Sequence, residues 1–151
     1  MTRGRSLRDN LGAVPAQRYR TLLVVLVALG LGGTAGELIL LEHTEGRAQL
    51  APLVAVAVGV AACVGFAARP GRGSVAMLRL SMLGLIGVAG FGLYYHFVGN
   101  LEFERELHPT ARGWGLIWDT LGGATPALAP GVLALLGLIG LLASSLPSES
   151  E

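Results

Sequence analysis

Four apolar runs, at about 21–42, 50–68, 77–99 and 126–143, constrain this chain more than any other feature. A helix rises 1.5 Å per residue, so about 20 apolar residues cross a hydrocarbon core of roughly 30 Å. Charged residues make up only 14% of the chain, and mean hydropathy is +0.62. A soluble domain carries about a quarter charged residues, and the shortfall follows if most of the chain sits in lipid, where charge is expensive. The expected fold class is therefore an all-α membrane protein. Four transmembrane helices form an antiparallel bundle, with a short interfacial helix on the outer face. The length of 151 residues suggests one domain.

Residues 1–20 read as a basic arm holding Arg3, Arg5, Arg8, Arg18 and Arg20, followed by a transmembrane domain over 21–146 and a tail at 147–151. Gly33-Thr34-Ala35 could pass for a signal-peptide cleavage site, but apolar sequence resumes at Leu38, where an apolar signal core should already have ended. Ala51-Pro52 marks the start of the second span. Thr125 is the expected N-cap of the fourth span, with Pro126 behind it and Pro130 bending the helix one turn further in.

Orientation follows from the arginines, since all eleven basic residues are of that type. The arm holds five. The second loop holds Arg69 and Arg72, with Arg79 able to snorkel to the same side, while the other two loops hold only Arg47, Arg105 and Arg112. The positive-inside rule then places both termini in the cytoplasm. Next to an apolar span, such an arm is a topogenic charge cluster, and no nucleic-acid partner is expected. The single Cys63 excludes an intrachain disulfide or a CxxC pair.

Small residues recur at helical spacing. Span one carries Ala28, Gly32 and Gly36, with Gly30, Gly33 and Thr34 beside them; span two Ala57, Ala61 and Gly65; span three Ser81, Gly84, Gly87 and Gly90, with Ala89 and Gly92 on another face. Such faces let helix backbones approach closely in lipid. They are expected to pack the bundle and, being several, to offer a face for a homo- or hetero-oligomer.

The titratable residues gather on the predicted outer side. By helical period His43, His96 and Glu37 fall above small residues and are expected at helix interfaces, with Asn100 and Glu104 following His96 on one side. Two imidazoles at helix ends could share a transition metal, with Glu37 or Glu104 completing the site, or could be the axial ligands of a haem. Interfacial histidines that only hydrogen-bond are the plainer reading. Glu102, Glu104, Glu106 and His108 read as a solvated helical extension or a hard-cation site. The remaining outer-face candidate is Asp119, in an amphipathic stretch over 110–121 whose Trp114, Ile117, Trp118 and Leu121 share one face.

No HExxH, ExxH repeat or CxxCH occurs, and no catalytic signature is legible. The four-span layout with outer-end histidines resembles small bacterial inner-membrane proteins, which implies a multi-pass protein of the plasma (inner) membrane. The functional expectation is a non-catalytic accessory or assembly subunit of a membrane complex. The alternative is an outer-face metal or haem protein using His43, His96 and Glu37 for redox or metal handling. Proton or ion translocation through Glu37 is weaker, because spans two and four offer no charged partner.

Overall fold

Runs of leucine, alanine and valine with charges held at their ends give helices whose backbone groups are satisfied locally. A computed structural model describes residues 16–44, 46–123 and 129–146. The described residues form five helices: α1 Ala16–Leu40, α2 Arg47–Ala68, α3 Arg72–Leu107, α4 Gly113–Leu121 and α5 Gly131–Ser145. Three of them (α1, α2 and α3) are long and apolar enough to cross a membrane.

The helices outrun the apolar stretches. Arg18 and Arg20, expected in the arm, are already in α1, and α2 opens at Arg47, which makes Pro52 its sixth residue. At 36 residues α3 is about 54 Å long and continues through the acidic segment to Leu107. Hydropathy marks where lipid ends, whereas a helix ends where its hydrogen bonding does; arginine, glutamine and glutamate continue it readily. Pro130 occupies the N-cap position of α5 and does not bend it, as expected for a residue without an N–H to offer. The expected Thr125 cap and Pro126 lie outside the described residues.

The turn after α1 closes as a Schellman motif. His43 N–H donates to the Leu38 carbonyl at 2.9 Å and Glu42 N–H to Ile39 at 3.0 Å. Glu42 takes the left-handed position at φ 51°, where glycine is usual. Across this turn α2 runs back along α1, with Leu31 over Gly59 and Arg20 over Phe66. On α5, Pro130 lies near Gly92, Gly137 against Ile86 and Met82, and Ser144 against Arg79, so α5 is antiparallel to α3. It also packs on α1, and α2 on α3.

Each of these helices turns a stripe of about one residue in three or four to the core. α1 contributes Val24, Val27 and Leu31; α2 Val56, Cys63 and Phe66; α3 Leu78, Met82, Leu85 and Ala89; α5 Leu133, Leu136 and Ala143. Close approach occurs at Gly30, which was expected, and at Gly59, Gly137 and Gly140; they receive Leu136, Leu31, Ile86 and Met82. These are mostly not the expected stripes. Around Gly32, Gly33, Gly36, Gly65, Gly84, Gly87 and Gly90 no other described residue comes within 4 Å of where a Cβ would stand. Of the α3 set only Ser81 and Ala89 are buried, and Gly92 meets Pro130. The reason is physical. Every face of these helices is apolar, so hydropathy cannot select one, and van der Waals fit of large side chains into glycine notches does.

Candidate functional site

The two ends of the fold differ in chemistry. One end, the arginine end, carries Arg18, Arg20, Arg69, Arg72 and Arg79. The other, the histidine end, carries His43, His96, His108 and the described carboxylates.

At the histidine end α3 rises past the apolar zone and α4 folds back onto it. One face of α3, built from residues four apart, presents His96, half-buried, Asn100, buried, and Glu104, half-buried. Asn100 Nδ2 donates to the Thr120 carbonyl at 3.0 Å, and Thr120, fully buried, donates its hydroxyl to the Leu116 carbonyl at 2.7 Å. Gly123 lies so close that a Cβ there would meet Asn100 Cγ at 2.8 Å. This link between Asn100 and the end of α4 fixes the short helix. Leu116 and Thr120 turn toward α3, while Trp114 and Trp118 are 84% and 76% exposed. Thus α4 docks through Leu116 and Thr120 and leaves the expected tryptophan face outward.

The candidate ligands are spread around this end. His43 is half-buried in the turn after α1, whereas Glu37, Glu102, His108 and Asp119 are exposed. Glu37, expected at a helix interface, instead lies on the surface. Leu136 meets Gly30, so seven residues further along α1 Glu37 is level with the start of α5 and clears its flank. His43 and His96 follow or lie on α1 and α3, two helices whose Cα atoms nowhere come within 8 Å. Among the described residues no three His, Cys, Asp or Glu side chains form a group able to hold a metal ion. The metal reading gains no support from this geometry. His96, Asn100 and Glu104 do share a face, as their spacing predicts.

The arginine end holds what sequence reasoning missed. Arg20 continues the buried stripe of Val24, Val27 and Leu31 by one turn and is only 5% exposed. Its guanidinium carbon stands 4.4 Å from the centroid of the Phe66 ring. Its Nε is buried with no hydrogen-bond partner among the described residues. The available signal was periodicity: residues 20, 24, 27 and 31 form one helical face. Nearby, Arg79 Nε donates to Ser144 Oγ at 3.1 Å and Nη2 to the Ser144 carbonyl at 3.0 Å. A cation thus meets the carbonyl end of α5, where the helix dipole favours positive charge. Comparison with protein-family models, with curated proteins and with solved structures finds no match to this chain.

Proposed function

We propose that this chain is a multi-pass protein of the bacterial plasma (inner) membrane and a non-catalytic accessory or assembly subunit of a larger membrane complex. In this reading α5 and the residues just before it make the fourth span. The arginine end faces the cytoplasm with both termini, and α4 lies in the outer interface with its tryptophans at headgroup depth. The excess of Arg18, Arg20, Arg69, Arg72 and Arg79 at one end over Arg47, Arg105 and Arg112 at the other supports the orientation.

One observation carries the subunit reading. The chain builds its own core from one set of helix faces, and none of its other described residues covers the glycines of α1 (Gly32, Gly33, Gly36) and of α3 (Gly87, Gly90). Glycine in a helix interior is destabilising by roughly 0.5–1 kcal/mol relative to alanine. A close-packing partner helix gives such positions a use, because van der Waals contact is the main force between helices in lipid.

Affinity purification from native membranes in mild detergent tests this. The expected result is a partner in fixed stoichiometry, another protein or a second copy, that is lost when Gly36→Leu and Gly87→Leu are combined. The thermal unfolding midpoint of the chain itself should not fall, since neither substitution touches its core and each removes a helix-interior glycine. A monomer of the same mass in both cases would contradict the reading.

A further inference from the structure

We draw no further inference here: the strongest candidate, the buried Arg20 guanidinium stacked on Phe66 at the arginine end of the fold, carries nothing, because it does not line the groove between α2 and α3 and nothing in the structure shows what meets its Nε.

Discussion

The contact between α3 and α5 makes a sharp prediction for Gly137→Ala. A Cβ at this position would stand 2.7 Å from Ile86 Cγ1 and 2.8 Å from the Met82 carbonyl oxygen. Ile86 can turn aside, but the carbonyl is held by its own helix. Ordinary contact begins near 3.4 Å, so the two helices must part by about 0.6 Å. A gap of 0.5–1 Å forfeits a quarter to a half of each atom-pair attraction along the seam, with wells of about 0.1–0.2 kcal/mol. Summed over the seam and added to overpacking strain, the expected loss is about 1–3 kcal/mol. Gly84 is the control: nothing lies within 4 Å of it, so Gly84→Ala meets no clash and regains up to about 0.5–1 kcal/mol of helix preference. Unfolding by dodecyl sulfate in mixed micelles, followed by tryptophan fluorescence, should order the proteins as Gly84→Ala, wild type, Gly137→Ala. Wild-type stability for Gly137→Ala, or an equal loss for Gly84→Ala, would refute the account of which glycines hold the fold together.

Other consequences are as specific. Asn100→Ala removes the shorter of two hydrogen bonds to the Thr120 carbonyl, leaving that from Gly123 N–H at 3.4 Å; the loss of one such bond costs about 0.5–1.5 kcal/mol. Amide exchange over 113–121 should accelerate in this variant, and unchanged protection would show that α4 is held by something else. At Glu42, with φ 51°, the left-handed backbone costs an ordinary residue roughly 1–2 kcal/mol. Glycine's own entropic penalty of about 0.5–1 kcal/mol leaves a net gain near 0.5–1 kcal/mol for Glu42→Gly, readable as a raised unfolding midpoint; a lowered one contradicts the assignment. For the metal reading, no three potential ligands converge among the described residues. The metal content of purified protein should therefore be the same in wild type and His96→Ala. Near-stoichiometric metal lost in His96→Ala would instead support the metal alternative, and a Soret band lost in that variant the haem alternative.

Much of the helical layout was legible because apolar runs of about 20 residues have few alternatives to a helix in lipid. The helix ends were not, since Arg18, Arg20 and Glu102 to Leu107 are polar yet continue helices whose hydrogen bonding runs on past the apolar stretch. The spacing of His96, Asn100 and Glu104 correctly placed them on one face of α3. What spacing could not reveal was the partner of that face, because the Asn100 link to Thr120 joins residues from two helices across a turn. The small-residue stripes misled for a related reason. A glycine is a notch, but only a large side chain opposite makes it a contact, and the sequence does not say that Met82 faces Gly140 while Gly87 faces nothing. Arg20 escaped notice because its charge suggested a solvated arm, although its spacing from Val24 placed it in the core stripe.

The most direct test of the central claim, that the unfilled glycine faces receive another helix, is site-specific photo-crosslinking in native membranes. A photoreactive residue at Gly87 should yield a discrete protein adduct, whereas the same residue at Leu138, an apolar position of α5 that is 58% exposed, should yield lipid adducts alone. Lipid adducts alone at both positions would contradict the account.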